Sequence, residues 1–88
     1  MIEYKYRIIY RNGLHARPAT TLVSKANSFA SEIVIEYDYR RVNLKSIMGV
    51  LSLGIPCNKS FKIIFKGPDE EEAFKAISKV LADINALP

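Results

Sequence analysis

The chain has 88 residues, with 13 Lys+Arg against 9 Asp+Glu and a formal net charge of +4 with its one histidine neutral. Hydrophobic residues at 49% and charged residues at 25% exclude wholesale disorder and predict one small domain spanning 1–88. A chain of this size buries only somewhat over ~60% of its unfolded surface, which argues against a large ligand cavity and places any chemistry at the surface.

Residues 2–10 alternate, with Ile2, Tyr4, Tyr6, Ile8 and Tyr10 on one side and Glu3, Lys5, Arg7 and Ile9 on the other. That pattern predicts a strand with one buried face. Asn12-Gly13 ends it. Pro18 suits the first turn of a helix, and Ala19, Leu22, Val23 and Ala26 supply its buried stripe. Residues 32–37 read as a second strand, with Ile33 and Ile35 opposed to Glu32 and Glu36. A turn at Asp38-Tyr39 leads to a short strand over Arg40–Asn43. Ser46–Leu53 reads as a short helix stopped by Gly54 and Pro56, with Val50 and Leu53 assigned to the core. Phe61, Ile63 and Phe65 alternate with Lys62 and Lys66 as a fourth strand. Asp69 is a natural N-cap for a last helix whose first turn is Glu70 to Glu72. Its buried stripe is Ala73, Ile77, Val80, Leu81 and Ile84. The order β-α-β-β-α-β-α makes a two-layer α+β sandwich, and the polar strand faces put helices on one side only.

The single cysteine, Cys57, excludes an internal disulfide and a cysteine-based metal cluster, and fits a reducing compartment. Glu3, Lys5 and Arg7 leave no h-region of a signal peptide. The longest mostly apolar stretch, Ile47 to Pro56, is about half a membrane span. A cytoplasmic location without membrane insertion is therefore expected. Charge is uneven: residues 1–66 hold 11 Lys+Arg and 4 Asp+Glu, net +7, whereas residues 67–88 hold 2 and 5, net −3. Composition leaves nucleic acid, an acidic protein and a phosphate equally open as partners of the basic part.

The informative stretch is Gly13-Leu14-His15-Ala16-Arg17-Pro18-Ala19-Thr20, where the only histidine stands at a strand-to-helix junction. A lone histidine is often an ordinary surface or core residue, but three features point to chemistry. The free N–H groups of a helix starting near Ala16 make an anion-binding end beside it. Arg17 supplies a charged fork for phosphate oxygens. Pro18 stiffens the turn without removing a needed donor. A neutral imidazole nitrogen is a competent nucleophile near pH 7, and such a site needs neither metal nor cofactor.

That segment and Asn43-Leu44-Lys45-Ser46-Ile47-Met48-Gly49-Val50-Leu51-Ser52-Leu53-Gly54-Ile55 together resemble the active-site signature and the regulatory-serine segment of one family. It is HPr, the histidine-containing phosphocarrier of the bacterial phosphoenolpyruvate-dependent sugar phosphotransferase system. The resemblance covers nearly the whole chain. It implies an open-faced β-sandwich with a four-stranded antiparallel sheet in the order 1-4-2-3 and three helices on one face. It implies a carrier rather than a turnover enzyme. His15 would accept a phosphoryl group on Nδ1 from phosphorylated Enzyme I and pass it to IIA units of sugar permeases, with Arg17 as its phosphate-side partner.

The exposed side of the second helix, Ile47, Met48 and Leu51, would form a small apolar docking patch, and Thr20, Ser24 and Asn27 a polar one on the first helix. On spacing alone, Ile47 and Leu51 fit plain core equally well, and the three polar residues fit an ordinary solvated helix face. Ser46 reads on its own as an N-cap. In the Gram-positive branch of the family, HPr kinase/phosphorylase modifies this serine and the product acts as corepressor with catabolite control protein A. A monomer is expected. The chain departs from the family at Asp38-Tyr39, where many members have a glycine, in the unusually basic Arg40-Arg41, and in the loop Pro56-Cys57-Asn58-Lys59-Ser60.

Two other classes fit the residues less well. An RNA-binding sheet needs exposed aromatics, whereas Tyr4, Tyr6 and Tyr10 share the strand face of Ile2 and Ile8, and Lys62–Gly67 lacks the aromatic signature of RNA-recognition motifs. A small acyl-phosphate hydrolase needs a water-positioning residue, and none is evident. Within the family, a regulatory paralogue would lack the phosphorylatable histidine, and the full Ser46 segment favours the sugar branch over the nitrogen-related one.

Overall fold

The computed structural model describes residues 1–84 and 86–87. The elements follow in the order β1 (Ile2–Ile8), α1 (Ala16–Ala26), β2 (Glu32–Tyr37), β3 (Arg40–Asn43), α2 (Ile47–Leu53), β4 (Ser60–Lys66), α3 (Glu70–Asp83) and β5 (Ala86–Leu87). The sheet runs β3-β2-β4-β1-β5, with every neighbouring pair antiparallel. Its first four strands are the expected 1-4-2-3 order read from the other edge. The two-residue β5, pairing Arg7 with Leu87 and Ile8 with Ala86, is an addition that no periodicity signals in so short a piece.

Alternation along the strands creates the two layers. Tyr6, Ile8, Ile33, Ile35, Phe61, Ile63 and Phe65 point to the helices and are buried. The register places Tyr6 opposite Phe61, and Ile33 opposite Phe65. From the other layer come Ala19, Leu22, Val23 and Ala26 of α1, Val50 and Leu53 of α2, and Ala73, Ile77 and Leu81 of α3. Val80 and Ile84, expected in the α3 stripe, pack at its margin and stay partly exposed. The opposite face of the sheet is a lattice of charge, in which Lys62 bridges Glu3 at 3.3 Å and Glu36 at 3.9 Å, and Arg41 pairs with Glu36.

The tyrosines of β1 grade outward rather than forming a uniform core. Tyr6 is buried and its hydroxyl meets Ser78 Oγ at 2.7 Å. Tyr4 is 39% exposed, its ring packed near the strand's start against Tyr6 and against Phe74 of α3, with centroids 5.1 and 5.3 Å away. The β2–β3 turn is also distinctive. Asp38 and Tyr39 both take left-handed φ values, 52° and 65°, in a two-residue hairpin turn that glycine usually fills. Tyr39 is wholly exposed there, so the bulky side chain meets no neighbour.

Asp69 departs from its expected role. It holds the N-cap position of α3, but its side chain makes no cap bond. The carboxylate accepts instead from the N–H groups of Ala30 and Ser31, both at 2.9 Å, and from the Ser31 hydroxyl. Ser31 Oγ in turn accepts from the Asp69 N–H at 3.1 Å. This reciprocal clasp ties the α1–β2 loop to the start of α3. Gly67 permits it by close approach, since a Cβ there would lie 2.6 Å from Ser31 Cα. The Ser31 hydroxyl bond, followed by the Ala30 N–H, holds the Asp69 carboxyl below the usual range. A lowered folded-state pKa means that the clasp's stabilisation is complete above the unfolded value of about 3.9 and disappears as pH falls through the folded one. Asp69→Asn is therefore expected to lower the urea midpoint near neutrality, and its gap from wild type should close below about pH 4. Urea titrations of both proteins across pH check this.

Candidate functional site

The loop between β1 and α1 is fixed by its backbone. The Tyr10 carbonyl accepts the Gly13 N–H at 2.9 Å, closing a turn. The Leu14 N–H then donates to the Ile55 carbonyl at 2.8 Å, just past the end of α2. Gly13 is required here twice over. Its φ is +69°, and a Cβ on it would lie 2.3 Å from the Ile55 oxygen and 2.8 Å from Pro56 Cα. Leu14 is buried and anchors the segment in the core.

His15 follows as the N-cap of α1, with extended backbone at φ −96° and ψ −172°. Its carbonyl accepts the Ala19 N–H at 2.9 Å. The side chain makes no cap bond, so the imidazole is free of the helix it starts. The N–H groups of Ala16 and Arg17 have no intrahelical acceptor, and Pro18, third in the helix, has no N–H to leave over. Two donors and the positive end of an eleven-residue helix thus follow His15 directly in the chain. Arg17 is exposed and makes no ion pair among the described residues. The ring is half-buried against Tyr10, with centroids 5.2 Å apart and planes inclined by 40°. Its Nε2 is buried and has no hydrogen-bond partner among the described residues.

Ser46 stands at the other end of α2. It is the N-cap, and its hydroxyl oxygen accepts the Gly49 N–H at 3.1 Å. The seven residues of α2 span about 10 Å between this cap and the end that holds Leu14. Along that length Met48 is 75% exposed, whereas Ile47 and Leu51 are half-buried and pack against the core. The expected apolar patch is therefore one fully presented side chain flanked by two shared with the interior.

Thr20, Ser24 and Asn27 are all exposed along α1. Thr20 Oγ1 donates to the Ala16 carbonyl at 2.7 Å, so its hydroxyl serves its own helix. Asn27 caps the end of α1, and its Nδ2 donates to the carbonyls of Val23 at 2.9 Å and Lys45 at 3.1 Å. Lys45 Nζ adds a bond to the Phe29 carbonyl at 2.6 Å. These bonds hold the start of α2 against the end of α1. Sequence reasoning missed them, together with Tyr10 beside His15 and the Arg40 guanidinium on the Ser52 carbonyl at 3.0 Å. Tyr10 was expected inside the first strand, but β1 ends at Ile8, which leaves its ring to pack beside His15. Among the described residues, no group of three potential metal-ligating side chains forms, and no helix is long and apolar enough to cross a membrane.

Gly13→Ala is expected to cost more than about 1 kcal/mol, through the positive φ and the clash with Ile55. It should also displace His15 from the helix end. Thermal unfolding measures the first effect, and loss of the His15–Tyr10 contact in NOE spectra the second.

A family model described as "PTS HPr component phosphorylation site" matches residues 2–83. The fold superposes on solved relatives. HPr-C-His from Thermoanaerobacter tengcongensis is 43% identical at a TM-score of 0.91, covering 96% of this chain and 94% of that one. The histidine-containing phosphocarrier protein of Mycoplasma is 34% identical at a TM-score of 0.94, covering 98% of both chains. Crh, a catabolite repression protein of Bacillus subtilis described as a swapped-domain dimer, is 36% identical at 0.74, covering 96% and 97%. With a family match over residues 2–83, the same strand order, and a histidine at the cap of α1, the chain belongs to the HPr family of the phosphotransferase system.

Proposed function

We propose that this protein is a phosphoryl carrier whose acceptor is Nδ1 of His15, loaded by phosphorylated Enzyme I and discharged to IIA units of sugar permeases. The observation that carries this reading is the placement of His15. It caps α1 directly before the free N–H groups of Ala16 and Arg17, with its side chain unused in capping and Nε2 buried. The incoming phosphoryl oxygens meet the Ala16 and Arg17 N–H groups and the Arg17 guanidinium, which moves onto them from solvent. Transfer between two nitrogens needs in-line geometry and charge stabilisation more than acid–base machinery, so the carrier itself needs no cofactor and acts without turnover of its own.

Thr20, Ser24, Asn27, Ile47, Met48 and Leu51 form the surface that both partners meet in turn. Met48 is its projecting apolar contact, and the helix-to-helix ties of Asn27 and Lys45 keep the two halves in register. A surface with one projecting contact suits partners that must leave quickly. The protein acts as a monomer in the cytoplasm, its single domain spanning 1–88.

Incubation with phosphoenolpyruvate and Enzyme I should give an acid-labile, alkali-stable label that His15→Ala abolishes. A label that survives this substitution overturns the reading.

Ser46 is the regulatory position, modified by HPr kinase/phosphorylase, with catabolite control protein A as partner of the product. A phosphate there adds about −1.5 to −2 charge at a helix N-terminus, where it is tolerated, and places it inside the docking surface. Ser46→Ala should abolish labelling by the kinase with ATP and lose the Gly49 cap, at about 0.5–2 kcal/mol of stability. Ser46→Asp should keep a cap acceptor yet slow loading of His15. Equal labelling of wild type and Ser46→Ala would rule the serine out.

A further inference from the structure

We propose that Tyr10 is a positioning residue for His15, its ring screening the Nε2 edge of the imidazole and keeping the reactive lone pair on Nδ1. The proposal rests on the phosphoryl-carrier reading above. Tyr10 lies beyond the end of β1, half-buried and packed on the margin of the core. Its own carbonyl closes the turn on Gly13, so its backbone and that of His15 belong to one fixed unit. The two ring centroids are 5.2 Å apart with a 40° inclination, close enough for the tyrosine π system to act on the imidazole.

Nε2 is buried and lacks a hydrogen-bond partner among the described residues, and an orphaned buried polar atom needs some compensation. An aromatic face supplies it in one protonation pattern only. It attracts an N–H donor and repels a lone pair. The tautomer with the proton on Nε2 is thereby favoured, and the lone pair stays on Nδ1. In the transfer, that lone pair forms the new N–P bond. The bond from phosphorus to the donor breaks, and its electron pair leaves with the donor. The Nε2 proton stays where it is, so the ring becomes cationic. The tyrosine face meets that charge as a cation–π partner, and the phosphoryl oxygens offset it from the other side.

Two readouts test this on the full chain. In 15N-labelled protein, at a pH above the imidazole titration, wild type and Tyr10→Phe should show a protonated Nε2 and a bare Nδ1. Tyr10→Leu should move both ring shifts toward a tautomer average. The rate of loading from phosphorylated Enzyme I should fall about 3- to 10-fold in Tyr10→Leu and return in Tyr10→Phe. Ring-current displacement of the His15 ring protons in the wild type alone provides a check that needs no variant to fold. Its absence overturns the proposal. So does Tyr10→Leu leaving both readouts unchanged, or Tyr10→Phe failing as Tyr10→Leu does. The nitrogen shifts need no phosphoryl donor. If Enzyme I fails to label even the wild type, the carrier reading falls while the positioning result stands on its own.

Discussion

The hydrogen bond from the Leu14 N–H to the Ile55 carbonyl, made possible by the missing side chain of Gly13, decides where everything else at the site lies. It pins the β1–α1 loop to the end of α2. With the loop pinned, α1 begins at Ala16 and His15 is its cap. His15 caps without using its side chain, so neither the imidazole nor the first N–H groups of α1 are spent on each other. The bond also couples the two segments that the sequence singles out. One end of α2 holds the histidine loop, and the other carries Ser46.

Much of this was legible in the residues. Alternation in β1 and β4, the stripe of Ala19, Leu22, Val23 and Ala26, and the stops at Gly54 and Pro56 are strong periodic or punctuating signals, and the elements follow them closely. Ser46 as a cap was readable because capping is local. What resisted reading was long-range. Asp69 has the right residue type and place for a cap, yet Ser31, 38 positions away, offers two better donors, and tertiary geometry wins. Tyr4 obeys the strand alternation and still stays partly exposed, because periodicity assigns a face and says nothing of how far the covering helix extends. Ile47 and Leu51 are shared between interior and surface, a distinction that spacing on a seven-residue helix does not resolve.

The net positive charge has a divided use. Lys62 and Arg41 are paired with Glu3 and Glu36 on the open face of the sheet. Lys45 and Arg40 are bound to main-chain carbonyls and hold elements together. Arg17, by contrast, is exposed and unpaired among the described residues, at the one place where an anion is expected. The acidic run at Glu70–Glu72 sits on the first turn of α3, where it complements the helix dipole. Part of the positive charge is thus structural, and Arg17 is one of several cations with no ion pair among the described residues.

The edges of the sheet have a further consequence. An edge strand offers a row of unsatisfied donors and acceptors to any other chain, and proteins guard against that by keeping edges short and charged. Here one edge is β3, four residues long and beginning Arg40-Arg41, with Arg40 drawn over the neighbouring helix. The other is β5, only two residues long. Among the described residues, both edges are short ladders. Short, charged edges of this kind disfavour continuation of the sheet by another chain.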